Sequence, residues 1–238
     1  MNLNKIRIVL VGTTHPGNIG SACRAMKTMG VDRLYLVNPN LSPYRKAHEM
    51  ASGAFDVLRK AVIVDTLPEA LKGCKLICAT SARPRDLSLP GLSPADFASL
   101  ASTKDAETEI AVIFGRESSG LTNEELLQAH FHMNIPSVAD FSSLNLSHSV
   151  QIVCYELRMK ILSPKIEVET QPNEMASYEN IERFHAHLEE VLVSLKFLKS
   201  ANHQRILQKL RRLFNRTQLE DLEINILRGI LTQIQNSI

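Results

Sequence analysis

The sequence lacks the features that mark membrane, secreted and zinc-binding proteins. It contains no run of about 18 apolar residues, the length that crosses a bilayer as a helix, so we expect no membrane-spanning segment. The first apolar stretch is too short for a signal peptide and ends in a turn. The four cysteines form no C-x-x-C pair, which argues against zinc and indicates reduced, buried thiols in a cytoplasmic protein.

The sequence also has little excess charge and none of the common catalytic motifs that we tested. Its formal net charge is +2, which neither predicts nor excludes RNA as a partner, because a local patch can bind RNA on a nearly neutral protein. There is no G-x-S-x-G nucleophile elbow. The eight histidines show no H-E-x-x-H or similar ligand spacing, so we expect no metal ion for catalysis or folding.

What the sequence does contain is an alternation of short apolar strands and helical patterns as far as about residue 162. The predicted strands are 6–11, 33–38, 61–65, 75–80, 110–115 and 131–136. The predicted helices are 18–29, 44–60, 67–73, 94–102, 122–130 and 145–162. Strands this uniformly apolar are covered on both faces, so the pattern predicts an α/β fold with a mostly parallel sheet flanked by helices. The default connections are right-handed and unknotted.

The alternation predicts a first domain at 1–162 and then stops. Residues 163–176 contain prolines, mixed charge and little periodicity, which indicates a linker. Residues 177–238 carry three helical patterns, which predict a small all-helical C-terminal domain. Thr217 and Glu220 have the spacing of a capping box at the start of the third helix.

The second predicted helix of this C-terminal domain has an apolar face and a basic face. The apolar stripe consists of Ile206, Leu207, Leu210, Leu213 and Phe214. The basic stripe consists of Arg205, Lys209, Arg212 and Arg216, with Arg211 beside it and no acidic residue in the segment. Two interpretations stay open: a solvated face, or a contact with an RNA backbone.

The first strand leads into a glycine-bearing turn and a helix, which is how many nucleotide-binding proteins begin. Gly12 and Gly17 have P-loop spacing, but Asn18 replaces the lysine and Ile19 the hydroxyl residue. Gly17 and Gly20 fit the end of a dinucleotide fingerprint, but its first glycine is missing. The P-loop and the dinucleotide-binding turn are therefore both rejected. The remaining structural interpretation is a tight turn with Asn18 as the helix N-cap.

Polar residues follow several predicted strands, at the edge where open parallel sheets bind ligands. Each group has an ordinary explanation as well: a surface arginine, an acid paired with a cation, or N-capping. Thr122 and Glu125 form a good capping box, which leaves the residues before them in a loop. The polar residues are Arg24 on the first helix, the long loop 80–91, Arg116 and Glu117 between Gly115 and Gly120, and Ser142, Ser143 and Asn145 before the last helix of the first domain.

Three segments, in order, resemble the motifs of the SpoU class of SPOUT RNA methyltransferases. They are NIGSACRAMKTMG, AVIFGRESSGL and IPSVADFSSLNLSHSVQIVCYELR, and the match covers about residues 5–160. The resemblance implies a parallel sheet whose C-terminal part is threaded into a trefoil knot, contrary to the unknotted default. It also implies a homodimer that uses S-adenosylmethionine, with TSARPRD, from Thr80, in a loop that contacts this cofactor.

The resemblance assigns functions to individual residues. It implies that the cofactor is held, mainly through backbone groups, by Thr80, Ser81, Ala82, Gly115, Ile135, Ser142, Ser143 and Leu144. It implies that the catalytic region contains Asn18, Arg24, Glu117, Ser143 and Asn145, with Arg24 facing the cofactor of the partner subunit and contacting the RNA.

The arrangement of the domains narrows the expected substrate. The first motif begins almost at residue 5, which leaves no room for the N-terminal RNA-binding domain of many rRNA-modifying members, and a helical extension follows instead. This layout is similar to members that methylate the ribose 2′-hydroxyl of cytidine or uridine 32 in the tRNA anticodon loop. The basic stripe is then expected to contact tRNA. An rRNA 2′-O-methyltransferase and a non-catalytic RNA-binding module remain as alternatives.

Overall fold

The computed structural model describes residues 1–81, 89–138, 140, 142–163, 175–198 and 203–237. Its strands are β1 Ile6–Val11, β2 Arg33–Val37, β3 Val62–Val64, β4 Leu76–Thr80, β5 Gly91–Leu92, β6 Ile110–Phe114 and β7 Phe131–Met133. Its helices are α1 Pro16–Met29, α2 Tyr44–Ala51, α3 Phe55–Arg59, α4 Leu67–Leu71, α5 Pro94–Ser102, α6 Asn123–Leu126, α7 Leu146–Leu162, α8 Tyr178–Ser194, α9 His203–Asn215 and α10 Asp221–Asn236.

The strands form one parallel sheet in the order β3-β2-β1-β6-β4-β7-β5. Side chains alternate across each strand, so β1 sends Ile8 and Leu10 into one hydrophobic cluster and Val9 and Val11 into another. Helices α1, α2, α5 and α7 cover the first face, and α4 and α6 cover the second. The predicted parallel sheet flanked by helices is confirmed.

Several predicted boundaries differ from the structure. The predicted helix 44–60 is two helices, because Ser52 and Gly53 adopt positive φ of 28° and 78° and end α2 with a left-handed turn. The predicted strand 131–136 ends at Met133, and the short β5 was not predicted. Gly30, which the helical spacing places on the core face of α1, is exposed and forms its C-cap at φ 77°.

Helices α8, α9 and α10 share a separate hydrophobic cluster around Phe184, which confirms a helical C-terminal part. The third helix begins at Asp221 with a capping box of Glu220 and Glu223, so the expected pair of Thr217 and Glu220 is wrong. The limits of the two domains stay a prediction. Most of the predicted linker, 164–174, lies outside the described residues.

The helical part docks against the amino-terminal side of the sheet. Asn215 is buried and its Nδ2 donates to the carbonyl oxygens of Leu127, at 2.8 Å, and Ala129, at 3.3 Å, just before β7. The carboxylate of Glu179 accepts the backbone N–H of Gly73, at 2.8 and 3.0 Å, just before β4. Both anchors therefore lie at the edge where the strands begin.

The four cysteines are free and buried, as predicted. Burial raises the pKa of the Cys23 and Cys74 thiols to about 12, which leaves them protonated and unreactive near neutral pH. Within the described ranges, no helix is long and apolar enough to cross a membrane. The same ranges contain no cluster of three or more histidine, cysteine or acidic side chains that could hold a metal ion.

Candidate functional site

A cavity of about 180 Å³ lies at the carboxyl ends of β4, β6 and β7, which are neighbours in the sheet. Every described residue of the predicted cofactor set lines it: Thr80, Ser81, Gly115, Ile135, Ser142, Ser143 and Leu144. Ala82, the remaining member, lies outside the described residues. The structure therefore gathers into one cavity residues that the sequence spreads over three separate loops.

Hydrogen bonds between the ends of the strands hold the floor of this cavity. Thr80 Oγ1 donates to the carbonyl oxygen of Ile113 at 3.0 Å, joining β4 to β6. The backbone N–H of Ser81 donates to Met133 at 3.0 Å, and Asn134 Nδ2 donates back to the Ser81 carbonyl at 3.1 Å. These bonds tie the end of β4 to β6 on one side and to β7 on the other.

The loop after β6 folds back on itself, and Gly115 permits this. The backbone groups of Arg116 and Gly120 exchange two hydrogen bonds, at 3.1 and 2.9 Å. A Cβ on Gly115 would lie 2.2 Å from the carbonyl carbon of Gly120, well inside contact distance. Only glycine fits this position without movement of the loop, which forms one wall of the cavity.

Arg116 holds this loop in place. Its guanidinium binds both carboxylate oxygens of Glu125 at 3.0 Å, and this bidentate contact raises the pKa of Arg116 further above its usual range. Glu125 also accepts the Thr122 backbone N–H at 2.7 Å, which confirms the predicted capping box of α6. Arg116 is therefore a structural residue of the cavity wall.

Glu117 caps α1 from the loop after β6, the strand next to β1 in the sheet. Its Oε2 accepts the backbone N–H of Thr14 at 3.1 Å and the Thr14 hydroxyl at 3.0 Å, and its Oε1 accepts the backbone N–H of His15 at 3.2 Å. The predicted N-cap, Asn18, is wrong: α1 begins at Pro16, and Asn18 lies inside its first turn. The cap at this end of α1 therefore comes from a carboxylate in a loop that is distant in sequence, where the prediction placed a side chain of the helix itself.

Partial burial opposes the charged form of Glu117, but the bonds from Asn18 and Thr14 outweigh it, and its pKa lies below the usual value.

The predicted catalytic residues Asn18, Glu117 and Asn145 form one hydrogen-bonded chain. Asn18 Nδ2 donates to Glu117 Oε1 at 2.9 Å, and Asn145 Nδ2 donates to Asn18 Oδ1 at 3.1 Å. Asn145 Oδ1 in turn accepts the backbone N–H and the hydroxyl of Ser147, at 2.9 and 2.7 Å, as the N-cap of α7. The chain joins the starts of α1 and α7 to the loop after β6.

Arg24 stands apart from this chain. It is exposed on α1 and does not line the cavity, and its side chain makes no hydrogen bond or ion pair with any residue that the structure describes. Ser143, the other predicted catalytic residue, lines the cavity and is exposed. The guanidinium of Arg24 is thus available to a ligand.

The basic stripe lies on α9, with Arg216 directly after its end, and none of its residues lines the cavity. Arg205, Lys209 and Arg216 are exposed and Arg212 is half-buried, and none forms an ion pair with a described residue. Arg211 differs from them because its guanidinium binds both carboxylate oxygens of Glu182 on α8.

On the opposite, apolar side of α9, the packing is incomplete. Leu213 is 40% exposed, so it packs less closely than the predicted stripe requires.

Some residues of the cavity were not identified from the sequence. Phe114, Met133, Leu146 and Ser149 also line it. The first three are apolar residues at the ends of strands or a helix, which look like ordinary core in a sequence. Ser149 carries a signal that could have been used, since it lies four residues after Asn145, on the same face of a helix.

Comparisons with known proteins match both parts of the chain. The model of the SpoU rRNA Methylase family matches residues 5–155. A second family model, for the tRNA methyltransferase TrmJ, C-terminal domain, matches residues 179–238. Between them, the two matches include the cavity, the capped start of α1 and the basic stripe.

Individual relatives match almost the whole chain. A Yersinia enterocolitica protein named tRNA (cytidine/uridine-2′-O-)-methyltransferase TrmJ is 48% identical over 98% of this chain and 92% of its own length. A Citrobacter koseri protein of the same name is 46% identical over 98% and 97%. The crystal structure of TrmJ from Z. mobilis ZM4 superposes with a TM-score of 0.83 and 30% identity, over 96% of this chain and 98% of that one.

Proposed function

This chain belongs to the SpoU rRNA methylase family, and we propose that it methylates the ribose 2′-hydroxyl of a cytidine or uridine in tRNA, with S-adenosylmethionine as the methyl donor. The observation that carries this proposal is its identity of 46–48%, along nearly the full length, to proteins named for that activity. The match of residues 179–238 to a tRNA methyltransferase domain supports tRNA over rRNA. We propose nucleotide 32 of the anticodon loop as the target.

The chemistry of the cavity fits the methyl donor. Leu144, Ile135 and Met133 offer apolar surface for a base, while the hydroxyls of Thr80 and Ser142 and the tight turn at Gly115 offer polar and backbone groups. S-adenosylmethionine supplies a methyl group on a positively charged sulfur. No cation among the described lining residues is free to repel that charge, since Arg116 is paired with Glu125.

Arg24 has the chemistry needed on the substrate side. A 2′-hydroxyl must lose its proton as it attacks the methyl group, so negative charge develops on its oxygen. An arginine does not give up its own proton near neutral pH, because its pKa is above about 12. Arg24 is therefore a hydrogen-bond donor that orients the ribose or its phosphate and stabilises the developing charge.

We further propose a homodimer with a trefoil knot in the C-terminal part of the sheet, located in the cytoplasm. The position of Arg24 outside the cavity supports a second subunit, whose cofactor it would face. Exposed apolar residues on α7 support the same conclusion, since Tyr155 is 47% exposed and Leu162 62%. Four free, buried cysteines are consistent with a reducing compartment.

The direct test is methylation of a defined tRNA. Unmodified transcript is incubated with S-adenosylmethionine labelled on the methyl group, and alkali-resistant phosphodiester bonds are mapped. We expect one resistant bond, after nucleotide 32, and no label in a control transcript that carries 2′-deoxyribose at that position. Label on a base would overturn the 2′-O assignment. Failure of S-adenosylmethionine to bind, measured by calorimetry, would favour a non-catalytic module.

A further inference from the structure

The face formed by α1 and α2 carries more positive than negative charge. Helix α1 contains no acidic residue, and the one acid of α2, Glu49, is paired with Arg45 at 2.7 Å. Lys27, near the far end of α1, is paired with Asp56 at 2.6 Å. This pairing leaves two cations of the α1–α2 face, Arg24 and Lys46, unneutralised.

Lys46 is the cation nearest the start of α1. It is exposed, and its side chain makes no hydrogen bond or ion pair with the part of the chain that the structure describes. Its side-chain stem runs past Gly17: a Cβ added there would lie 3.6 Å from Lys46 Cγ and 3.8 Å from Cε. Gly17 immediately precedes Asn18, so the stem of Lys46 packs against the first turn of α1, the turn that carries Asn18 of the Glu117–Asn18–Asn145 chain.

Close packing fixes the position of α2. A Cβ on Gly20 would lie only 2.1 Å from the Ala47 carbonyl oxygen, so the backbones of α1 and α2 are in direct contact. The loop before α2 is tied to the loop before α1, since the Asn40 N–H donates to the Thr13 carbonyl at 2.9 Å. Lys46 therefore projects from a rigid support.

Arg24 and Lys46 lie along one side of α1. Arg24 is seven residues after Gly17, which places both on one face of the helix and about 10 Å apart along its axis. Two unpaired cations set along one face of α1 match an extended chain of phosphates better than a single small anion.

We propose that Lys46 binds the phosphate backbone of the RNA beside the nucleotide that is methylated, and that with Arg24 it forms the RNA track into the site. This inference rests on the proposed function. Lys46 contributes affinity through charge, and it takes no part in the transfer of the methyl group.

The test measures how RNA binding by the full-length protein depends on salt. Binding of unmodified tRNA transcript is measured with S-adenosylhomocysteine present, over about 50 to 300 mM salt, for the wild type, Lys46→Gln and Lys46→Arg. The slope of log K against log salt is negative, and each lost phosphate contact reduces its magnitude by about 0.7 to 0.9. We therefore expect Lys46→Gln to bind several-fold more weakly near 0.1 M salt, with a shallower slope, and Lys46→Arg to keep the slope of the wild type.

Lys60→Gln is the matched control. Lys60 is also exposed and without an ion pair to a described residue. It precedes β3, so it lies at the amino ends of the strands, whereas the cavity lies at their carboxyl ends. We expect its slope and affinity to match the wild type. In turnover assays, Lys46→Gln should raise KM for tRNA and leave kcat at saturating tRNA within about twofold.

An unchanged slope and affinity in Lys46→Gln would overturn the inference, as would an equal loss in Lys60→Gln. A fall in kcat without a change in the salt slope would assign Lys46 to the architecture of the site. A wild-type protein that binds tRNA but does not methylate it would instead contradict the proposed function, so the two failures can be told apart.

Discussion

The side chain of Arg24 has no partner among the described residues, unlike the charged side chains of the loop after β6. Arg116 is held by Glu125, and Glu117 is held by donors at the start of α1. Because hydrogen bonds already occupy them, those two side chains shape the site, whereas Arg24 can form new bonds when RNA arrives. Arg116 and Glu117 therefore have structural roles, whereas Arg24 is free to bind a ligand.

Replacing Arg24 should therefore affect turnover and spare cofactor binding. We expect Arg24→Ala to lower kcat by at least about 100-fold, the usual effect of losing one donor to developing negative charge. Calorimetry should give the same Kd for S-adenosylmethionine in Arg24→Ala as in the wild type. Arg59→Ala, at an exposed position at the end of α3, is the control. Near-normal methylation by Arg24→Ala would contradict the assigned role.

Among the elements, α1 depends on a residue that is remote in sequence. Its N-cap residue, His15, makes no side-chain capping bond, and the cap comes instead from Glu117 in the loop after β6. The same loop is folded tightly by Gly115 and forms a wall of the cavity. One carboxylate therefore couples the stability of α1 to the shape of the cavity.

Glu117→Gln tests this coupling. An amide has one acceptor oxygen instead of two, so we expect a loss of about 1 to 2 kcal/mol in the free energy of unfolding at pH 7, typical of a lost cap or charged hydrogen bond. Glu124→Gln is the control, since Glu124 is exposed nearby and makes no hydrogen bond with described residues through its side chain. Thermal unfolding of both variants gives the measurement.

The effect of Glu117→Gln should also depend on pH. The folded protein holds the pKa of Glu117 below its usual value, so the charged carboxylate stabilises the fold above the unfolded pKa of about 4.3. That contribution is lost as the pH falls through the lower, folded pKa. The difference in the free energy of unfolding between wild type and Glu117→Gln should have its full size at pH 7 and shrink below about pH 4. A difference that stays constant down to pH 3 would show that charge is not the cause.

In the whole molecule, the cavity and the helical C-terminal part lie on opposite edges of the sheet. The cavity is at the carboxyl ends of the strands, while Asn215 and Glu179 anchor the helices at the amino ends of β7 and β4. A strand of five residues spans about 17 Å, so an RNA that touches α9 and the site of one subunit must extend at least that far. A folded tRNA is large enough to do so.

Charge reversal on α9 tests whether this distant surface takes part. We expect Lys209→Glu with Arg212→Glu to raise KM for tRNA several-fold, most strongly at low salt, and to leave kcat unchanged. Because Arg212 is half-buried, Lys209→Gln with Arg212→Gln is included to separate lost charge from lost packing. Arg59→Glu with Lys60→Glu is the matched reversal elsewhere. An unchanged KM would show that the stripe is a solvated face and does not contact tRNA.

Local pattern was enough to predict the main elements of the first domain, the parallel sheet and the buried cysteines. Runs such as the buried strand Ile6–Val11 follow from burial on both faces, and the capping box of Thr122 and Glu125 follows from spacing within one turn. The described residues of the predicted cofactor set also line one cavity, because parallel strands end at one edge of the sheet. The break between α2 and α3 was missed, since it depends on backbone angles at Ser52 and Gly53.

The partners of the polar side chains depend on the tertiary structure. Asn18 and Glu117 are 99 residues apart in the chain, and Asn18 and Asn145 are 127 apart, yet they form one hydrogen-bonded chain. Sequence spacing reports on neighbours within a helix or strand, so it predicted Asn18 as a cap and could not find Glu117 in that role. The free state of Arg24 and the position of Lys46 beside Gly17 likewise follow only from packing between elements. Folding brings these distant segments together, and that decides which polar groups are occupied and which remain available to RNA.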